Sequence, residues 1–220
     1  MPLSAVLFDF DGVVIDSHEA HGRSWFSLAA ELGHDLSHET FVSTFGQRNE
    51  SILPFLGWAE EGDREGIQLL GDRKEALYRE ILLAEGIDPL PGVVALLEDL
   101  KANGIPCAIG TSTPRPNVEC VLKITGLADY FQDIAASEDV SRGKPDPEVF
   151  LKAAGKLGAN PADCVVIEDA QVGLRAARAG GMKAVGVTTT HPAAALEPEK
   201  PDRIVESLEE VSVAWLRGLW

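Results

Sequence analysis

Short, unbroken apolar runs recur along the chain, at residues 5–8, 106–110, 134–136, 164–167 and 184–187, and most end on polar or small residues. A strand that is apolar at every position has both faces covered, the condition of a parallel sheet packed between helices. The intervening segments supply those helices, with amphipathic patterns over residues 93–103, 117–125, 147–157 and 171–179. Alternation of this kind predicts an α/β fold built on a doubly wound, mostly parallel sheet. Ligands of such sheets collect beyond the carboxyl ends of the strands, so chemistry is expected in the residues that follow each run.

One interval breaks the alternation. From Ser17 to about Asp88 no strand pattern occurs, only helical patterning at residues 20–32, 39–45 and 49–56, then a charged stretch at 64–83 interrupted by Gly66 and Gly71. A helical insertion directly after the first strand predicts a smaller helical cap domain, residues 17–87, spliced into a core domain of residues 1–16 and 88–220. The expected hinges are Asp16–Ser17 and the turn "GIDPLPG", residues 86–92, where glycine and proline punctuate the chain. Asp16 is expected to cap the helix that follows, with Glu19 completing a box-like pattern.

With 19 Lys and Arg against 35 Asp and Glu, the formal net charge of the 220 residues is −16. That balance argues against nucleic-acid and membrane partners, so an anionic substrate must be drawn in by a local positive site. The first apolar run carries no basic leader, and no stretch approaches the ~18 apolar residues of a membrane span, which leads to the expectation of a cytoplasmic protein. Cys107, Cys120 and Cys164 are odd in number and widely spaced, suggesting neither a disulfide framework nor a zinc cluster.

Four polar clusters fall at strand ends or on the loop beyond one: Asp9/Asp11, Thr111/Ser112, Lys144 and Glu168/Asp169. In a parallel sheet they converge on one rim. Crowded carboxylates raise each other's pKa unless a cation neutralises them, and an oxygen-rich set suits Mg²⁺. A carboxylate can also attack phosphorus, provided that positive charge and hydrogen-bond donors offset the meeting of two anions. Asp9 is the candidate nucleophile; Lys144 and the Thr111 hydroxyl are candidate donors. Asp11, a loop residue further on, is placed to give and take protons. Each residue has a blander reading beside this one: Lys144 as a loop lysine, Asp169 as a helix cap, Thr111 as an end-of-strand hydroxyl. A calcium loop is a poor match, because a strand precedes "DFDG" and Val13 and Val14 follow it.

The set "DFDG", "GTST", "GKPDP" and "IEDA", in that order and with a helical insert after the first, resembles the haloacid dehalogenase superfamily of phosphotransferases, and within it the β-phosphoglucomutase-like branch. The resemblance spans essentially the whole chain and implies a Rossmann-like core with an inserted cap. It implies Asp9 as the phosphorylated nucleophile, Asp11 as general acid and base, and Thr111 and Lys144 as phosphoryl ligands, with Ser112 beside them on substrate. Mg²⁺ would be held by Asp9, the main-chain carbonyl of Asp11 and Asp169, with Glu168 alongside.

In the cap, "HGRSW" carries His21 and Trp25, "GQRNES" carries Arg48 and "DRKEAL" carries Lys74, where related sugar-phosphate mutases use cap residues on substrate. His21 and Trp25 equally fit a packed helix face, and Arg48 and Lys74 equally fit solvated charges. In "STPRPN", Pro114 and Pro116 stiffen a loop that the sugar mutases keep more open around a second phosphate, and the link from Gly46 to Arg48 is one residue shorter than theirs. The expected activity is therefore Mg²⁺-dependent hydrolysis of a small phosphorylated metabolite, a sugar phosphate, by a monomer or small homo-oligomer. The alternative is a sugar-phosphate mutase. A phospho-accepting signalling receiver shares the residue types but is much shorter and lacks the insert.

Overall fold

The computed structural model describes residues 3–44 and 47–220. Contacts divide the chain into two compact units: an α/β unit of residues up to Asp16 together with Ile87–Trp220, and a helical unit, Ser17–Gly86.

In the α/β unit six strands form one sheet, β1 (Ala5–Phe8), β2 (Cys107–Gly110), β3 (Asp133–Ala135), β4 (Cys164–Glu168), β5 (Lys183–Val187) and β6 (Arg203–Val205), in the order β3-β2-β1-β4-β5-β6. Every neighbouring pair is parallel. Strands β1, β2 and β4 are buried at every position, as their unbroken apolar runs require. Alternate side chains serve opposite faces. Ala5 and Leu7 of β1, with Cys164 and Val166 of β4, pack on Phe150, Ala153, Leu174 and Ala177. Phe8, one residue out of phase, meets Phe131 edge to face with ring centroids 5.7 Å apart.

The strand order reverses beside β1, which pairs with β2 on one side and β4 on the other. Loops leaving β1 and β4 therefore diverge, opening a crevice at their carboxyl ends. The register sets what stands there. Phe8 is level with Ile167, so Asp9 and Glu168 are the next residues on adjacent strands, and the Asp9 amide still donates to the Ile167 carbonyl at 3.0 Å.

The helices of this unit are numbered after those of the helical unit: α5 (Val93–Ala102), α6 (Arg115–Thr125), α7 (Glu148–Lys156), α8 (Gln171–Ala179), α9 (Ala193–Leu196) and α10 (Val213–Arg217). Strand β6, α9 and α10 carry no expectation from sequence. β6 is three residues long at the sheet edge and begins on an exposed arginine, so it presents neither an apolar run nor a full alternation.

The helical unit contains α1 (His18–Leu32), α2 (His38–Thr44), α3 (Asn49–Phe55) and α4 (Arg64–Glu85). Its core gathers Trp25, Leu28, Phe41, Ile52, Leu53, Ile67 and Leu77. Two expectations need correction. Ser17, not Asp16, occupies the N-cap position of α1. The charged stretch forms one unbroken helix, because Gly66 lies in the capped first turn, its amide donating to Asp63 Oδ1 at 2.9 Å, and Gly71 is a contact surface. A Cβ on Gly71 would stand 3.3 Å from Asn49 Nδ2, so the packing of α3 on α4 outweighs the ~1 kcal/mol that a glycine costs inside a helix. Phe45 and Gly46, where one helix was expected to end and one link appeared short, lie outside the described residues.

Phe150, fully buried between α7 and the sheet, carries the largest side chain on that face. Phe150→Ala is expected to lower stability by about 3–5 kcal/mol, read from equilibrium urea unfolding followed by circular dichroism. A loss below ~1 kcal/mol would contradict this packing.

Candidate active site

After β1 the chain turns back on itself. The amides of Val13, Val14 and Ile15 all donate to the Phe10 carbonyl, and the Gly12 amide donates to Ile15 O at 2.7 Å. Gly12 has φ +79°, a conformation that side chains resist. Phe10, Val13, Val14 and Ile15 are buried and anchor the turn, leaving Asp9 and Asp11 on the rim. Apolar residues thus hold the acids where unaided carboxylates would move apart.

Three carboxylates meet there. Oxygens of Asp9, Glu168 and Asp169 lie within 4.8 Å of one another, and all three residues are buried. At that separation each like-charge pair costs on the order of 3 kcal/mol for an effective dielectric constant of about 20. One side chain offsets part of this. Lys144, on the loop before α7, places its ammonium 2.8 Å from Asp9 Oδ1 and 2.7 Å from Glu168 Oε1, with only 6% of its side chain exposed. Burial acts to lower the lysine pKa, but the Asp9 and Glu168 charges outweigh it and raise the value above the ordinary range.

One lysine does not balance three carboxylates. Burial first, and then the Asp9 charge, push Asp169 up to about 7. Burial likewise drives Glu168 well above the usual carboxylate range, against the pull of Lys144. The set is oxygen-only, concentrated and short of positive charge, which suits a hard divalent cation. Glu168 is the most tied of the three: Oε1 takes the Lys144 ammonium and Oε2 accepts the Ala170 amide at 2.7 Å.

Thr111 follows β2 and is buried; its hydroxyl accepts the Thr113 amide at 3.1 Å, while Ser112 between them is exposed. The Asp11 carboxylate lies outside the three-acid group and accepts the Thr113 hydroxyl. The structure therefore brings Asp9, Lys144, Glu168 and Asp169 together and links Asp11 to the Thr111–Thr113 loop.

Residues that the sequence did not single out complete the arrangement. Besides Thr113, the loop after β5 contributes Thr189, whose hydroxyl donates to the Gly12 carbonyl, and Thr190, whose Oγ1 stands with Asp169 Oδ2 against Gly12. The only sequence signal at the second place is the run "TTT" at a strand end, and single threonines are too common to be read without a partner.

The remaining candidates lie in the helical unit. Trp25 belongs to its apolar core and Arg48 is exposed at the start of α3. Lys74 is 3% exposed, its ammonium 2.8 Å from His21 Nδ1 and 3.1 Å from Glu75 Oε1. Glu75 also accepts Asn49 Nδ2 at 2.9 Å, and the His21 ring stacks on Tyr78 with centroids 4.1 Å apart.

A model of the haloacid dehalogenase-like hydrolases matches residues 3–181. The chain belongs to the haloacid dehalogenase-like hydrolase family. Among relatives, hexitol phosphatase A of Escherichia coli is 34% identical over 215 residues, covering 97% of this chain and 95% of that protein. β-Phosphoglucomutase of Bacillus subtilis is 32% identical over 225 residues, covering 99% and 96%. Among solved structures, CbbY of Rhodobacter sphaeroides in complex with xylulose-1,5-bisphosphate superimposes with a TM-score of 0.84 at 27% identity, covering 97% of this chain and 99% of the other.

In this member of the family the Lys144–Glu168 contact depends on a glycine one turn into α8. A Cβ on Gly173 would fall 1.6 Å from Glu168 Oε1, whereas one on Gly155 of α7 would meet nothing within 4 Å. Gly173→Ala is expected to cost about 1–3 kcal/mol by overpacking. Gly155→Ala is expected to gain up to ~1 kcal/mol as an ordinary helix substitution. Paired urea titrations check the signs; equal effects would contradict the stated geometry.

Proposed function

We propose that this protein is a magnesium-dependent phosphatase acting on a small phosphorylated metabolite, a sugar or polyol phosphate, through an aspartyl-phosphate at Asp9. The observation that carries this reading is the Lys144 ammonium against Asp9 Oδ1, inside a cluster of carboxylates that still lacks positive charge. A nucleophilic carboxylate meeting a phosphate dianion needs that arrangement, and a merely structural acid does not. Mg²⁺ fits the oxygen-only donor set. Asp9, the main-chain carbonyl of Asp11 and Asp169 would hold it, with Glu168 alongside, and it would supply positive charge to the transferring phosphoryl group.

In the first step an Asp9 oxygen bonds to phosphorus as the bond from phosphorus to the substrate oxygen breaks. Asp11, entering protonated, gives that oxygen its proton. In the second, water attacks the phosphorus, Asp11 takes a proton from it, and the Asp9 carboxylate departs as inorganic phosphate forms. Lys144 and the Thr111 hydroxyl bind phosphoryl oxygens throughout, and Ser112 adds an exposed hydroxyl on the same loop. The Thr113 hydroxyl on the Asp11 carboxylate supports this division of labour, since it orients one acid for proton transfer while Lys144 holds the other for attack.

Two basic residues open to a second phosphate by their place in the chain are already paired, which favours hydrolysis over a mutase reaction. Arg115, the first residue of α6 between Pro114 and Pro116, donates to Ile134 O at 2.9 Å and Asp139 Oδ2 at 2.6 Å, and Lys74 is neutralised by Glu75. The likeness to hexitol phosphatase A supports the same side, and the likeness to β-phosphoglucomutase supports the alternative. In the helical unit, the exposed Arg48 is assigned to selection of the organic part of the substrate. His21 and Trp25 are assigned to shaping that part's surroundings, and Lys74 to holding His21. Burial pushes the Cys107 thiol up to about 12, so it stays protonated and inert, compatible with a cytoplasmic setting.

Asp9→Asn is expected to abolish turnover, a loss of more than ~10³-fold, while the circular dichroism spectrum shows the chain still folded, because the amide keeps the shape and loses the nucleophile. Retention of most activity would contradict the assignment. A phosphate-release screen over sugar and polyol monophosphates, run beside conversion of β-glucose 1-phosphate to glucose 6-phosphate, separates the two reactions. Free phosphate that disappears with EDTA and returns with Mg²⁺ is the expected outcome. Isomerised sugar without phosphate release would favour the mutase.

A further inference from the structure

We infer that Thr190, seconded by Thr189, is a positioning residue that holds the metal-binding face of this site in register from the loop after β5. The inference rests on the magnesium reading above and concerns residues outside the four motif clusters. Three groups crowd one point: a Cβ on Gly12 would stand 2.2 Å from Asp169 Oδ2 and 2.6 Å from Thr190 Oγ1. Thr190 Oγ1 and Asp169 Oδ2 therefore stand beside each other on one side of Gly12. A carboxylate turns easily about its last bond, and a hydroxyl placed beside one oxygen restricts that rotation, here in a carboxylate that groups with those of Asp9 and Glu168.

Thr189 does the corresponding work on the main chain. Its hydroxyl donates to the Gly12 carbonyl, in the residue that follows Asp11, and so restrains the backbone from which the Asp11 carbonyl projects. The loop bearing both threonines is itself anchored. The Thr188 amide donates to the Val205 carbonyl of β6 at 3.0 Å, and α9 begins after Pro192 and buries Leu196. The edge strand thus fixes a loop, and the loop sets two hydroxyls beside the proposed ligands. Both threonines are exposed as residues, so neither is needed to fill the core.

The test measures metal binding directly, by isothermal titration calorimetry of Mg²⁺ into the full-length chain. Thr190→Val is expected to weaken Mg²⁺ binding about 10–100-fold, the usual cost of removing a group that orients a ligand. Its unfolding midpoint in EDTA should stay unchanged, and Thr190→Ser, which keeps the hydroxyl, should bind as the unsubstituted chain does. Thr189→Val should weaken binding in the same direction. Unweakened binding by Thr190→Val, beside normal binding by the unsubstituted chain, would overturn this inference and leave the phosphatase reading standing. Equal weakening by Val and Ser, with a lowered midpoint in EDTA, would show a packing role and overturn it as well. Failure of the unsubstituted chain to bind Mg²⁺ would overturn the magnesium reading and the inference together.

Discussion

The Lys144 ammonium, shared between Asp9 and Glu168, is the interaction on which the site turns. Buried charges are tolerated only when paired, and removing one partner of such a pair typically costs about 3–5 kcal/mol, because the other is left uncompensated. Here one cation serves two carboxylates and a third stands nearby, so the protein holds more buried negative charge than it neutralises. Such an arrangement is a poor device for stability. It makes sense as one prepared for a further cation and for a substrate whose charge changes during reaction.

The fold supplies the rigidity that this accumulation demands. Asp9 and Glu168 are consecutive neighbours on paired parallel strands, and Asp169 follows at once, so backbone register alone brings the acids together. Apolar anchoring does the rest: Phe10 and Val13–Ile15 pin the turn after β1, and Gly173 leaves room for a carboxylate that no larger residue would admit. The acids cannot separate without unpacking the sheet.

Much of this was legible in the sequence because it depends on patterns repeated along the chain. Runs apolar at every position announced β1, β2, β4 and β5, and parallel topology then required the residues after each run to share a rim. Contributions without a pattern were hidden. β6 is three residues with an exposed arginine; Gly66 and Gly71 look like breaks in α4 until Asp63 and Asn49 are seen beside them. Thr113 bonds Asp11, more than 100 residues away along the chain, and Thr190 stands beside Asp169, about 20 away, and no local spacing carries that information. Lys74 read as a surface charge or a substrate ligand, and only the neighbouring Glu75 and the contact with half-buried His21 reveal it as the centre of a polar cluster.

The most direct measurement is chemical location of the phosphoryl group. The protein, mixed with a turned-over sugar phosphate and quenched in acid within milliseconds, is reduced with borohydride, which converts an aspartyl phosphate into homoserine, and its peptides are sequenced by mass spectrometry. The account predicts homoserine at position 9 and nowhere else. Its appearance at Asp11, or turnover with no acyl phosphate at any position under conditions that trap one in a related enzyme, would contradict it.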